Sequence, residues 1–312
     1  MIIIGDLHQR NEKTQKHIEY LFKWIDNTFD MKNETLVLLG DIFDKSLLPS
    51  ENLYFLMKIL KQYKKVVIIT GNHDTSFIHK NYLLPFLHLD NIILVEEEPK
   101  ELMIDNIKCF FLPYKKNMKN YEELCGEYDY IFCHAYFKEN DFGNEGVKFN
   151  ENLKGIKVAG HDHTHKVVSE DKIVLGTPFP SRFGENLNPS FKIMQINNVD
   201  KSYKLIDCPK IFTYLEIDYD ESGEVKCDYP FFELYVKNAP SRRLAKKIYK
   251  NYDLYKKIDI KTDIYNSSYD IEINANNNFD KKIGFYDYLM EFLKVNEKSV
   301  GVVEILKNLF KK

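Results

Sequence analysis

The chain is short of cysteine, of long apolar runs and of net charge, and each shortage narrows what it can be. Its five cysteines, Cys109, Cys125, Cys133, Cys208 and Cys227, are an odd set with no Cys-x-x-Cys pair. That pattern fits reduced thiols inside a cell rather than a disulfide framework. No stretch approaches the roughly 18 consecutive apolar residues of a membrane span, and MIIIGDLH meets Asp6 too soon to be the apolar region of a signal peptide. A soluble, cytoplasmic protein is expected, with no membrane partner. The net charge of −3 neither demands nor excludes nucleic acid, because a balanced total can hide segregated patches. What remains is a chain of 312 residues, 44% hydrophobic, with enough apolar material for one large domain and a smaller appendage.

Through residues 1–206 one pattern recurs: a short apolar run of strand length ends in a polar turn carrying Gly, Asp, Asn or His. MIII precedes Gly5-Asp6, TLVLL precedes Gly40-Asp41, VVIIT precedes Gly71-Asn72-His73-Asp74, YIFC precedes His134, and KVA precedes Gly160-His161. Helical spacing separates the early runs, with Ile18, Leu21, Phe22 and Ile25 on one face, and Leu53, Leu56, Ile59 and Leu60 on another behind Ser50. Alternating strand and helix predicts an α/β layered sheet. After His134 strands dominate, with hairpin turns expected near Glu170-Asp171 and Asn197-Asn198, so the first domain should hold two sheets. From Ile211 the pattern predicts a small α/β unit: two strands about a Gly223 turn, a helix from Ser241 to Tyr252, and a strand in KKIDIKTDI. NANNNFD, residues 274–280, reads as a linker, followed by two short amphipathic helices.

Taken singly, each polar turn is an ordinary cap or loop. Together, Asp6, His8, Asp41, Asn72, His73, His134, His161 and His163 all follow predicted strands, whose carboxyl ends converge on one crevice in open α/β sheets. Close carboxylates repel, and buried His and Asp without partners are costly, whereas divalent cations satisfy them together. Imidazole, carboxylate and amide donors without thiolate suit manganese, iron or zinc better than magnesium or calcium. Two metals about 3.5–4 Å apart need a bridging carboxylate, for which Asp41 is the best candidate, and such a pair suits in-line attack on a phosphate ester.

The series Gly-Asp-Leu-His, Gly-Asp-Ile-Phe-Asp, Gly-Asn-His-Asp, a lone His134 and Gly-His-Asp-His resembles the calcineurin-like metallophosphoesterase superfamily, in full order and spacing. The resemblance implies a two-sheet αββα sandwich core. It also implies that Asp6, His8, Asp41 and His163 hold one metal and Asp41, Asn72, His134 and His161 the other, with His73 protonating the leaving oxygen. The run LGTPFPSRFGE, residues 175–185, is further similar to a segment of SbcD-type DNA nucleases, the meiotic-recombination-eleven family, including their bacteriophage recombination-endonuclease branch. That likeness implies a nuclease domain at 1–206, a DNA-capping domain at 207–275, and a linker and helical segment at 276–312 that holds an SMC-like ATPase. It implies a homodimer within a heterotetramer, DNA as substrate, and two divalent ions, Mn2+ first, with Mg2+, Fe2+ or Zn2+ as alternatives. Richness in Asn, Lys, Ile and Tyr suggests an AT-rich coding genome, such as a viral one. Two positions depart from that family: His8 is followed by Gln9-Arg10, and Asp44 stands where a His is frequent.

In a strand His165 would share a face with His161 and His163, and it is expected to face solvent or to support a ligand from behind rather than hold a metal itself. In SRRLAKKIYKNY, Arg242, Lys246 and Lys250 form a stripe with Arg243 and Lys247 beside it, opposite Leu244, Ala245, Ile248, Tyr249 and Tyr252. Such a stripe is either a solvated face or a contact to DNA phosphates. Ile283, Tyr286, Leu289, Phe292 and Leu293 make one apolar face near the end, and Val303, Leu306, Leu309 and Phe310 another. Two other readings compete with the nuclease: a small-molecule phosphodiesterase or phosphatase of the same superfamily, and a catalytically inactive DNA-end scaffold.

Overall fold

A computed structural model of the chain describes residues 1–44, 50–75, 81–115, 121–140, 146–185, 191–249 and 255–260. Residues 1–261 form one compact unit, and a second, 262–312, lies outside the described residues together with the expected linker and terminal helices.

The early apolar runs are strands because alternate residues have different partners. β1 (Ile2–Ile4), β2 (Thr35–Leu38), β3 (Lys65–Ile69) and β4 (Ile92–Val95) pair in parallel. Ile2, Ile4, Leu36, Leu38, Val66 and Ile68 face α1 (Glu12–Thr28) and α2 (Ser50–Leu60), while Ile3, Val37, Val67 and Ile69 face the second sheet. α1 starts at Asn11, whose side chain accepts the Lys13 and Thr14 N–H groups, and it buries Ile18, Leu21, Phe22 and Ile25 as the spacing predicts.

The chain then builds the second sheet from β5 (Lys100–Ile104), β6 (Ile107–Leu112), β7 (Gly126–His134), β8 (Leu153–Gly160), β9 (Lys166–Ser169) and β10 (Lys172–Val174), in the order β5-β6-β7-β8-β10-β9. β11 (Lys192–Ile196) and β12 (Tyr203–Asp207) return to the first sheet beside β1, in the order β12-β11-β1-β2-β3-β4. Both expected hairpins are present, as β9–β10 and β11–β12. Cys109, Phe111, Tyr130, Phe132, Val158 and Ile173 fill the space between the sheets, a mixed α/β sandwich. The outer face of the second sheet is covered, among the described residues, by Tyr121, Phe137, Val147 and Phe149 from its loops. β6, β7, β8 and β10 run parallel to one another, so each sheet gathers several carboxyl ends.

β13 (Phe212–Asp218), β14 (Phe231–Ala239) and β15 (Tyr255–Ile260) form a third, parallel sheet, with α3 (Arg242–Ile248) between the last two. α3 is shorter than the expected 241–252, and Lys250 and Tyr252 lie outside the described residues. Ala245 and Tyr249 are buried against β14, but Leu244, expected on that side, is 36% exposed. No helix among the described residues is long and apolar enough to cross a membrane.

His17 of α1 is packed among Phe179, Phe212 and Phe231, stacked on Phe212 at 4.4 Å between ring centroids. Burial, helped by Lys13, pushes its pKa down to about 4. Between pH 6.5 and 4 the unfolded chain therefore binds a proton that the folded chain refuses, so stability falls as the pH drops through that window. His17→Phe removes the proton site and keeps a ring. On going from pH 7 to pH 5, urea unfolding should show the parent losing about 2 kcal/mol more than the variant. Equal losses would show that His17 carries no such linkage.

Candidate metal centre

The parallel strands of both sheets end at one seam, and the predicted polar turns lie along it. Asp6 follows β1, Asp41 follows β2, and Asn72 and His73 follow β3; His134 ends β7, and His161 and His163 follow β8. Three of these residues hold left-handed backbone: His8 at φ 47°, Asp41 at φ 45° and His161 at φ 80°. Non-glycine residues are uncommon there, and the strain is maintained by neighbours. The N–H groups of Leu7 and His8 donate to the Asp41 carbonyl, at 3.2 and 2.9 Å, tying the first two turns together. Glycines permit the approach: a Cβ on Gly40 (φ 97°) would lie 2.5 Å from His134 Nδ1, and one on Gly160 would lie 2.5 Å from Asp6 Oδ1.

The donors fall into two groups that meet at Asp41. His8 Nε2 lies 2.9 Å from His163 Nε2, and each is 3.9 Å from Asp6 Oδ2. His134 Nε2 lies 3.0 Å from Asn72 Oδ1, with His161 in the same group. Asp41 Oδ2 stands between them, 3.8 Å from His8 Nε2 and 3.3 Å from His134 Nε2. Its other oxygen accepts the His73 N–H at 2.8 Å, so its orientation is set by the backbone. All eight predicted residues are thus brought together, with Asp6, His8 and Asp41 1% exposed and His134 fully buried.

Outward hydrogen bonds decide which ring nitrogen faces inward. His134 Nδ1 donates to the Leu39 carbonyl at 2.7 Å, and His163 Nδ1 lies 2.6 Å from Glu185 Oε1 and 3.0 Å from Ser181 Oγ. His8 Nδ1 lies 3.3 Å from Asp44 Oδ1. With Nδ1 of His134 and His163 hydrogen-bonded outward and that of His8 turned toward Asp44, their Nε2 atoms converge on the carboxylates, as in metal-ligating imidazoles. Balanced by protein groups alone, the cluster is electrostatically awkward. Burial pushes Asp6 up to about 7, while Asp41, despite its burial, is held below the ordinary carboxylate range by His134 and His8. Burial opposes the charge on His134, yet Asp41 and Asp6 push it up to about 9, and burial with His134 pushes His161 down to about 3. Divalent cations would replace those shared protons, and the donor set fits them.

Three residues outside the predicted donor set matter here. Asp74 is fully buried and accepts the Phe43 N–H at 3.1 Å and the Gly71 N–H at 2.9 Å, bracing the turns after β2 and β3. Its place in Gly-Asn-His-Asp is the only local signal for it. Glu185 closes the LGTPFPSRFGE run, and its second oxygen accepts the Ser181 and Arg182 N–H groups at 2.6 and 3.0 Å. Arg10 Nε lies 2.9 Å from Asp44 Oδ2, so the two departures at Arg10 and Asp44 pair with each other. His165 takes no part in either donor group. Residues 161–164 are bends and β9 begins only at Lys166, so the expected alternation of three histidines does not occur.

Residues 1–200 match the family model described as calcineurin-like phosphoesterase. No curated protein matches the chain. Among solved structures the chain is similar to one described as a novel archaeal phosphodiesterase, at 17% identity and TM-score 0.38, over 66% of this chain and 99% of that one.

Glu185 gives this centre a direct check. Removing the partner that orients a metal-ligating imidazole costs about 10- to 100-fold in metal affinity. Titration calorimetry with Mn2+ should show a loss of that size for Glu185→Gln, and an unchanged affinity would mean that His163 needs no such support.

Proposed function

The chain belongs to the calcineurin-like phosphoesterase family, and from that premise we propose that it is a two-metal DNA nuclease subunit, hydrolysing phosphodiester bonds at DNA ends or in single strands during recombination and repair. The observation that carries the two-metal reading is Asp41 Oδ2, which stands within 3.8 Å of a ring nitrogen from each donor group. Asp6, His8, Asp41 and His163 would hold one ion, and Asp41, Asn72, His134 and His161 the other. Donors of this mixture favour Mn2+, and Fe2+, Zn2+ or Mg2+ would also fit. Bound there, two divalent ions supply charge neutralisation for a phosphoryl group and a strong nucleophile at neutral pH.

The chain's own residues do the rest. Asp6, accepting the His161 N–H with both oxygens at 3.2 and 2.9 Å, and Asp41, accepting that of His73, are rigid anionic anchors that need no rearrangement as charge develops. His73 stands at the mouth, its side chain 30% exposed, with Nδ1 2.9 Å from the Asp44 carbonyl. Donating Nδ1–H to that carbonyl leaves Nε2 to carry a proton to a leaving oxygen. Asp41→Ala should lose both ions, because it removes one carboxylate from two coordination shells. His73→Ala should keep them and lose about 10²- to 10⁴-fold in turnover on linear or single-stranded DNA with Mn2+. Metal analysis beside a chelator-controlled cleavage assay checks both, and parental cleavage by His73→Ala would remove it from the role of acid.

For DNA as the substrate, the support is the LGTPFPSRFGE segment and a basic surface. Arg242, Arg243, Lys246 and Lys247 are all exposed on α3, while Lys250, expected on the same stripe, lies outside the described residues. Ser181 and Glu185 of that segment both reach His163. The apolar faces of residues 283–310 also lie outside the described residues, and on the resemblance to SbcD-type nucleases we assign them to an SMC-like ATPase partner in an assembly containing two copies of this chain. Replacing the four described cations of α3 with Gln should weaken binding to single strands of any sequence and flatten its salt dependence by up to about three ion equivalents. An unaltered slope would leave α3 as a solvated face.

A further inference from the structure

Phe183 is out of place by the ordinary rules of burial. Of the phenylalanines among the described residues it alone is exposed, with 55% of its surface open to solvent. It is nevertheless not a loose loop tip. Its ring lies 5.7 Å from Tyr214 and 5.3 Å from Tyr235, edge to face in both cases, at interplanar angles of 64° and 75°. Tyr214 in turn donates to the Ser181 carbonyl at 3.2 Å. Two residues beyond Phe183, Glu185 grips His163 at 2.6 Å and the Ser181 and Arg182 N–H groups at 2.6 and 3.0 Å. Two residues of backbone span at most about 7 Å, so an open aromatic surface is held at a short, fixed offset from a residue of the metal centre.

We infer that Phe183, backed by Tyr214 and Tyr235, is the stacking surface for an unpaired nucleobase of the substrate, next to the phosphodiester presented to the metal centre. This rests on the nuclease reading and narrows it to nucleic acid with at least one unstacked base beside the scissile bond. A nucleobase is favoured over a protein side chain by what surrounds the ring. Exposed Arg182 precedes it in the chain, and Tyr214, which backs the ring, also lines a cleft with Lys13, Glu233 and Arg10, the last paired to Asp44, so a cation suited to a phosphate adjoins the flat apolar face. A polynucleotide alternates those two chemistries at the spacing of one nucleotide, and every base has a face that stacks regardless of sequence.

The experiment uses the full chain with Mn2+ and two single-stranded oligonucleotides, identical except that one lacks the base beside a defined scissile bond. Base–aromatic stacking predicts that the parent prefers the base-bearing strand by about 5- to 150-fold in kcat/KM. Phe183→Ala should bring the two strands to parity, and Phe183→Trp should restore the preference. Mn2+ affinity by calorimetry should be the same in all three proteins. With a chelator present to stop cleavage, 2-aminopurine at the same position should be quenched by the parent and by Phe183→Trp but not by Phe183→Ala. A parent that cuts both strands equally, or an Ala variant that keeps the preference, overturns the stacking role and leaves the nuclease reading standing. Loss of Mn2+ binding by Phe183→Ala overturns it in favour of a structural role for the loop. An Ala variant that keeps the preference but loses a bound protein partner overturns it in favour of protein docking. A parent that cuts neither strand yet hydrolyses bis(p-nitrophenyl) phosphate overturns the nuclease reading itself, and the stacking inference with it.

Discussion

Two carboxylates, Asp6 and Asp41, are buried to within 1% of full enclosure where the two sheets end, and the local architecture is organised around that cost. Like charges in a low dielectric raise each other's energy steeply, and imidazoles alone settle the matter only by trapping protons. Left-handed backbone at His8, Asp41 and His161 costs on the order of 1–3 kcal/mol at each position, and it persists because it aims the donors at common points. Cations at those points would convert mutual repulsion into coordination. In that sense the strained turns are the folding cost of a site whose stability is completed by its ions.

Around the donors lies a set of braces with no chemistry of their own. Leu39, Asp44 and Glu185 hold Nδ1 of His134, His8 and His163 outward. Asp74 ties the turn after β2 to the turn after β3 through two backbone N–H groups. Burial and the nearby Asp41 push Asp74 up to about 7, so this carboxyl too is tuned by the cluster it supports. Both sheets contribute donors and both contribute braces, and neither sheet alone could orient the set.

The sequence made the donors legible because each stands in a short motif directly after an apolar run. Alternation of Ile2 to Ile4, Leu36 to Leu39 and Val66 to Ile69 between the two cores, with parallel pairing of their strands, then puts the turns at one edge. The third sheet and the two hairpins were legible for the same local reasons. What stayed hidden depends on contacts between residues far apart. Glu185 was visible as a motif ending, but its bond to His163 spans 22 residues. Arg10 and Asp44 read as two separate departures, whereas in space they are one ion pair across 34 positions of chain. His165 was misplaced on a strand face because Gly160 and the positive φ of His161 end β8 before the alternation can continue. Leu244 shows the reverse case, a helical face whose apolar width exceeds what β14 covers.

The segment 177–185 joins three parts of the fold. At one end Thr177 N–H donates to the His163 carbonyl at 3.1 Å, and at the other Glu185 holds the ring of the same residue. Midway, Phe179 packs against His17 of α1, and the Ser181 carbonyl accepts from Tyr214 of the third sheet. One short loop is therefore clamped to the metal centre, to the first sheet's helical layer and to the appended sheet. Rotation of the Tyr214 side chain or a slip of β13 would pull on Ser181, whose hydroxyl lies 3.0 Å from His163 Nδ1, and so on the orientation of a candidate ligand. Positioning of a candidate metal-ligating imidazole and positioning of the proposed stacking surface are thus a single mechanical property of this loop. That explains why its aromatic and acidic residues lie so close together in the chain.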